Sequence, residues 1–353
     1  MRLAVRIAQI SPLYESVPPQ GYGGTERVVH VLTEHLVAMG HEVTLFASGD
    51  SRTTARLVAG SPRSLRQAPD CRDPLAWHQL QLAQIARHGH EFDVVHFHVD
   101  YLHFALSRAL RLPQLTTLHG RLDLPDLAPL YGEFSDMPLV SISNSQRLPL
   151  PEANWLGTVY HGLDSSPDAF VPKPEEYLAF VGRISREKRP DRAVEIARAL
   201  GMKLKVAAKI DAGDEAYWRD EIASLFEDPL VEFLGEKSEP DKLELMGKAR
   251  ALLMPIDWPE PFGLVAIEAM SCGTPVVAFR CGAMPEVIDD GVSGVLVDDM
   301  REAPDAVRRA ITLPREGVRD VFTRRFNGER MAKDYVNVYE RLLERRAGAN
   351  QAA

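Results

Sequence analysis

Short apolar runs alternate with stretches whose apolar residues recur every three or four positions, and the rhythm passes along the chain twice. In the first half, residues 3–10, 42–47, 93–98, 115–118 and 139–142 read as strands, and residues 25–39 and 75–88 carry helical spacing. After a proline-rich interval the pattern restarts. Strands are predicted at 177–181, 204–208, 231–234, 251–254, 275–279 and 295–297, with helices at 191–200, 215–226, 239–248 and 264–270. Nearly continuous apolar strands alternating with amphipathic helices imply buried parallel sheets covered on both faces. The expectation is α/β: two doubly wound, Rossmann-like domains facing a cleft. Ligands in such folds bind where loops leave the carboxyl ends of the strands.

The interval at 167–174 carries three prolines and reads as a linker. It coincides with a change in composition, because all 11 histidines fall at or before His161 and the first lysine is Lys173. The expected domains are therefore 1–170 and 171–325. Residues 326–353 should form a charged C-terminal helix that packs back on the N-terminal domain and ends in a disordered tail. At 353 residues the chain exceeds the usual size of one core, which agrees with two domains.

Composition narrows the partners. The chain is 45% hydrophobic and 26% charged, without a long uncharged apolar run to span a bilayer. A net charge of −9 gives nucleic acid no basic stripe to bind. Residues 1–172 hold 13 Arg and no Lys against 17 Asp and Glu, a net of −4, so membrane association through anionic lipid is not favoured. Three scattered cysteines make no disulfide framework, no secretory leader is read at the N-terminus, and a cytoplasmic location is expected.

Chemistry concentrates at predicted strand ends. Residues 258–278, WPEPFGLVAIEAMSCGTPVVA, set Glu260 and Glu268 around a glycine turn at Gly263 that opens a helix, and the helix stops at Cys272-Gly273. Unpaired N–H groups at such a start attract phosphate or sugar oxygens, with one carboxylate ahead of them and one about a turn behind. The plain alternative is a loop glutamate and a solvated helix glutamate. Residues 180–191 (FVGRISREKRPD) place Arg183 and Lys188 after a strand, where they could pair with a diphosphate; otherwise they are a solvated basic loop. Residues 21–26 (GYGGTE) form a glycine turn before a helix, with room for an anionic ligand or simply for the turn. They miss the dinucleotide fingerprint because Glu26 stands where a glycine is needed. His119 closes another strand. His96 and His98 share a strand face as a metal pair would, but no third ligand has convincing spacing, and no metal is expected. Residues 280–288 read as a further glycine turn, and 289–294 as a structural turn.

The ordered set YGGTE, TLHG, VYHGLD, FVGRISREKRPD, PEPFGLVAIEAMSCGTPVVA and GAMPEVIDDGVSGVLV resembles the retaining glycosyltransferases of family 4, which have the GT-B fold. The match spreads over nearly the whole chain. It implies that Gly23 and Gly24 lie near the donor phosphates and His119 beside the transferred sugar. Arg183 and Lys188 would hold the diphosphate. Glu260 would bind donor-sugar hydroxyls, helped by the backbone N–H groups of Phe262, Gly263, Leu264 and Val265, and Glu268 would bind the ribose. The resemblance also implies transfer without a metal or other cofactor, by front-face attack. It puts a uridine diphosphate sugar first as donor, ahead of guanosine and adenosine diphosphate sugars. The acceptor would be a small molecule or glycan chosen by residues 11–20 and 121–138. Two other readings share the diphosphate grip: a nucleotide-sugar epimerase and a non-catalytic nucleotide-sugar binder. A phosphorylase using pyridoxal phosphate would be larger and need a cofactor lysine.

Overall fold

The computed structural model describes residues 4–21, 23–166 and 169–352. Leu3, Tyr22, Pro167, Asp168 and Ala353, on which parts of the expected first strand, glycine turn, linker and tail fall, lie outside the described residues. The chain divides into two compact units. The first comprises Met1–Gly162 with Gly328–Ala353, and the second Leu163–Asn327. The division falls at 162/163 and not at 170/171, because Leu163 already pairs with Asn327 inside the second unit.

The first unit is built on seven strands: β1 (Arg6–Ile10), β2 (Glu42–Ser48), β3 (Arg56–Ser61), β4 (Val94–Phe97), β5 (Gln114–Thr117), β6 (Leu139–Ser141) and β7 (Trp155–Thr158). They form one parallel sheet in the order β3-β2-β1-β4-β5-β6-β7. The second unit has six: β8 (Tyr177–Arg183), β9 (Lys203–Lys209), β10 (Val231–Gly235), β11 (Ala251–Met254), β12 (Val276–Phe279) and β13 (Gly294–Val297). Their parallel order is β10-β9-β8-β11-β12-β13. In each sheet the winding reverses once, between β1 and β4 and between β8 and β11. Loops diverge at such a point and leave a crevice above the strand ends.

Burial follows the apolar pattern. Ile7, Ala8 and Ile10 of β1 and Ala251, Leu252 and Leu253 of β11 are buried, as central parallel strands require. The helix Leu264–Ser271 is apolar almost all round and is buried along most of its length. Its N-cap is Gly263 at φ 87, and Gly273 at φ 74 follows its end. The last helix, Gly328–Ala352, lies in the first unit against Gly24–Ala38. It continues in helix through residues expected as a disordered tail.

Strands β3 and β7 and the helices Phe104–Leu110, Leu127–Glu133, Ala303–Ala310 and Arg315–Arg325 fall outside the expected pattern, and one expected helix is broken. The strands β3 (RLVAGS) and β7 (WLGT) bound the first sheet; each contains a glycine and is only partly buried, so neither makes an apolar run. Residues 215–226 form no continuous α-helix. A turn of α-helix at Glu215–Tyr217 passes into a π-helical segment, Trp218–Ile222, and a 3-10 segment, Ala223–Glu227. Among the described residues, no helix is long and apolar enough to cross a membrane.

Candidate functional site

The crevice of the second unit is walled by loops from β8 and β11, adjacent strands at its point of reversal. From the β8 loop comes Lys188, and from the β11 loop Glu260. The ammonium of Lys188 is ion-paired with Glu260 Oε2. The Trp258 indole N–H donates to the same oxygen at 3.0 Å, and its ring lies 5.2 Å from the Lys188 nitrogen. Glu260 is 9% exposed, so its charge rests on these two partners. Arg183, at the end of β8, lies 3.7 Å from Glu187, 3.6 Å from Asp211 and 3.8 Å from Asp214. These separations are longer than hydrogen bonds, and Asp211 is itself held by Lys209 at 2.8 Å. The guanidinium is thus placed but keeps N–H groups for a ligand. Arg189 and Arg192 instead stitch the loop to Asp257.

Gly263 opens the helix beside Glu260. Its φ of 87 demands glycine, and a Cβ on it would also have to displace the Met284 methyl, 2.5 Å away. The first amides of this helix, Leu264 and Val265, precede any intrahelical partner and aim out of its N-terminus. Phe262 is buried and packs edge-on against Phe326, 6.0 Å between centroids, which anchors the turn. Glu268 is buried one turn on and takes an ion pair from Lys242 at 3.0 Å. It is therefore not the solvated glutamate of the plain reading. The glycine turn at 280–283 also belongs to this construction. Gly282, at φ 57, packs on the backbone of Glu260, Ala283 N donates to Glu260 O at 2.9 Å, and the Cys281 thiol donates to Trp258 O at 2.9 Å. Trp258, Lys242 and Gly282 were missed as site residues in the sequence. Trp258 and Gly282 stood within quoted motifs, whereas Lys242 had no local signal.

In the first unit, Gly23 caps the helix Gly24–Ala38 at φ −170, which any residue adopts. What requires glycine is space, since a Cβ would lie 2.8 Å from the Pro19 Cβ and 3.1 Å from Glu26 Oε2. The chain's own loop and a carboxylate occupy this approach. Glu26 is buried in the first turn, and burial raises its pKa. Glu15, from the loop after β1, pairs with Arg66 at 2.7 Å. Gly23 thus stands beside two carboxyl groups, those of Glu15 and Glu26, at the start of this helix.

His119 follows β5. Its Nε2 lies 2.9 Å from His98 Nδ1, and its ring stacks on His161 with centroids 5.2 Å apart. His98 Nε2 faces Gln9 Oε1 at 2.8 Å, and Gln9 Nε2 donates to the Tyr339 hydroxyl at 3.0 Å. His96 meets that hydroxyl through Nδ1 at 2.8 Å and Thr117 Oγ1 through Nε2 at 2.7 Å; Thr117 in turn meets Tyr335. The two imidazoles weighed as a metal pair thus commit all four ring nitrogens to hydrogen bonds. Burial drives His96 and His98 well below the usual histidine range and His119 to about 3. Asp100, after β4, holds a left-handed backbone at φ 49, a strained conformation for aspartate.

Comparison with known proteins matches each unit separately. The glycosyltransferase family 4 model matches residues 22–151, and the model of glycosyl transferases group 1 matches residues 164–322. The D-inositol 3-phosphate glycosyltransferase of Saccharomonospora viridis is 31% identical over 49% of this chain and 44% of its own length. That of an Arthrobacter species is 26% identical over 80% of this chain and 79% of its own. The chain spans less than half the length of several such curated relatives. A crystal structure of a glycosyltransferase involved in avilamycin A biosynthesis superposes with a TM-score of 0.72 at 25% identity, covering 96% of this chain and 98% of that one. Two family models, one on each unit and in the order of the chain, together with a solved relative of the same two-domain architecture, show that this chain belongs to glycosyltransferase family 4 and has the GT-B fold.

Proposed function

We propose that the chain is a retaining glycosyltransferase that moves a sugar from a nucleoside diphosphate sugar to a hydroxyl-bearing acceptor. The observation that carries this reading is the Lys188–Glu260 pair at the reversal of the second sheet, beside the helix start at Gly263. Cleavage of a sugar–diphosphate bond builds negative charge on the leaving phosphate. A cation and helix amides already fixed in place stabilise that charge without reorganising. In this reading Arg183 and Lys188 hold the diphosphate, and Glu260, released from Lys188 as the phosphates take the ammonium, binds hydroxyls of the donor sugar. The amides of Phe262 to Val265 contribute further donors, and Glu268, ion-paired with Lys242, binds the ribose. His119 is assigned to the transferred sugar, and Gly23 and Gly24 to the approach of the donor phosphates. The fixed cations can serve the leaving group without a metal, and front-face attack lets the departing phosphate receive the acceptor's proton. A uridine diphosphate sugar is the proposed donor, the first unit is assigned the acceptor, and three free cysteines fit a cytoplasmic setting.

Names of the relatives, all sugar transferases, favour transfer over epimerisation or binding alone. Calorimetry with UDP tests the cationic half: Lys188→Ala should weaken binding by about tenfold or more, as loss of a charge-assisted contact does. Glu260→Gln should leave UDP affinity within about twofold and lower turnover by about a hundredfold, the scale of losing one transition-state hydrogen bond. Undiminished UDP affinity in the lysine variant, or full turnover in the glutamine variant, would sink the respective assignment. A thermal-shift panel of UDP-, GDP- and ADP-sugars decides the nucleotide, since a ligand at 100 times its Kd stabilises by about 2.7 kcal/mol.

A further inference from the structure

The histidine network of the first unit has a direction, and that direction ends on His119. Gln9 Nε2 donates to the Tyr339 hydroxyl, so the amide oxygen is the atom turned to His98 Nε2. An amide oxygen only accepts, and His98 Nε2 therefore carries a hydrogen. His98 is buried at 3% exposure, and both this burial and the imidazoles of His96, His119 and His161 oppose a second proton on it. A neutral imidazole has one N–H, which leaves His98 Nδ1 bare. It can then only accept from His119 Nε2, 2.9 Å away. His119 is also kept neutral by burial, so its own Nδ1 is bare. That nitrogen is buried and has no hydrogen-bond partner among the described residues.

We propose that His98, oriented by Gln9, is a positioning residue that holds His119 as the Nε2-protonated tautomer and leaves Nδ1 to accept a hydrogen bond from a hydroxyl of the bound sugar. The ligand half of this statement rests on the function proposed above, whereas the tautomer half rests on the free protein alone. The opposite rotation of the Gln9 amide would reverse every bond and put an N–H on His119 Nδ1 with nothing to receive it. Orphaned buried donors are rarer than orphaned acceptors, which favours the first direction. It also fixes chemistry. A group that can only accept recognises a hydroxyl hydrogen and gives a phosphate or carboxylate oxygen nothing.

The test uses the full chain labelled with 15N in histidine and long-range proton–nitrogen correlation at neutral pH. His119 should show a protonated Nε2 and a bare Nδ1 in the free protein. In His98→Leu, which removes the acceptor, His119 should populate both tautomers. In His98→Asn, whose Oδ1 can stand in for the ring Nδ1, it should return to one. A proton on His119 Nδ1 in the unsubstituted protein, or an unchanged single tautomer in His98→Leu, would overturn the proposal. Because His98→Leu could fail to fold, the wild-type spectrum and His98→Asn decide on their own. UDP-glucose is then titrated as probe. If calorimetry shows it bound, the Nδ1 resonance should move toward a hydrogen-bonded value while Nε2 stays. A bound probe that leaves Nδ1 unmoved refutes the ligand half, and failure of all nucleotide sugars to bind counts against the function instead.

Discussion

Gly282 decides where Glu260 stands. Its φ of 57 lies in the left-handed region, and a Cβ there would fall 2.3 Å from the Glu260 amide nitrogen and 2.4 Å from its carbonyl oxygen. Both obstacles are backbone, so Gly282→Ala cannot be absorbed by a rotamer change and must push the Glu260 loop away from Lys188. Strain at such a position costs about 1–3 kcal/mol, and a displacement near 1 Å in a catalytic contact costs about a hundredfold in rate. Gly282→Ala should therefore lower turnover much further than it lowers the melting temperature. Gly182→Ala is the control, since a Cβ at Gly182 meets nothing within 4 Å. Equal activity in the two variants would refute this role for Gly282. At this scale the sequence was legible where a residue's chemistry is its own. Arg183, Lys188, Glu260 and Glu268 could be picked out by charge and motif. Gly282 and Lys242 could not be, because their parts consist of contacts to residues more than 20 positions away.

The C-terminal helix Gly328–Ala352 is an element of the histidine network as well as of the fold. Tyr335 and Tyr339 are one turn apart on one face and are buried, and their hydroxyls reach Thr117, His96 and Gln9. Tyr339→Phe keeps the ring and removes an oxygen that two buried groups use. Each orphaned partner costs about 1–3 kcal/mol, so chemical denaturation followed in the first unit should show a loss of about 2–6 kcal/mol. A loss below about 0.5 kcal/mol would mean that the network rearranges around the missing hydroxyl. Element by element, the second unit was the more readable. All six of its strands were expected, and β8, β11, β12 and β13 carry the apolar runs that the sequence shows directly. The exceptions have physical causes: β3 and β7 are partly buried edge strands carrying Gly60 and Gly157. The predicted helix at 215–226 breaks because Trp218 and Phe226 meet, 5.2 Å between centroids, and both meet Phe233. On a straight α-helix residues eight apart differ by about 80°, and the π-helical segment alters that rotation.

At the scale of the molecule the uneven placing of histidine becomes a difference between the two units. All 11 histidines lie at or before His161, hence in the first unit, and the second has none. Burial depresses His96, His98, His103 and His161 well below the ordinary histidine pKa, and His119 to about 3. In the unfolded chain each titrates near about 6.5. Between those values the unfolded state binds a proton that the folded state refuses, so stability is retained above pH ~6.5 and falls as the pH drops below it. The loss approaches the order of 1 kcal/mol per pH unit for each group. Five such groups act together in one unit, against a total domain stability of about 5–15 kcal/mol. The first unit should therefore lose hydrogen-exchange protection between pH ~6 and ~5, in β1, β4 and β5 most plainly. The strands β8 to β12 should hold theirs through the same interval. Replacing His103 by Phe removes one of these groups and should shift the midpoint to lower pH, provided that Ser107 and Thr116, its hydrogen-bond partners at 2.8 Å each, are changed to Ala and Val with it. Loss of protection in both units at one pH would show that acid acts on the carboxylates they share in kind, and not on the buried imidazoles that only one of them contains.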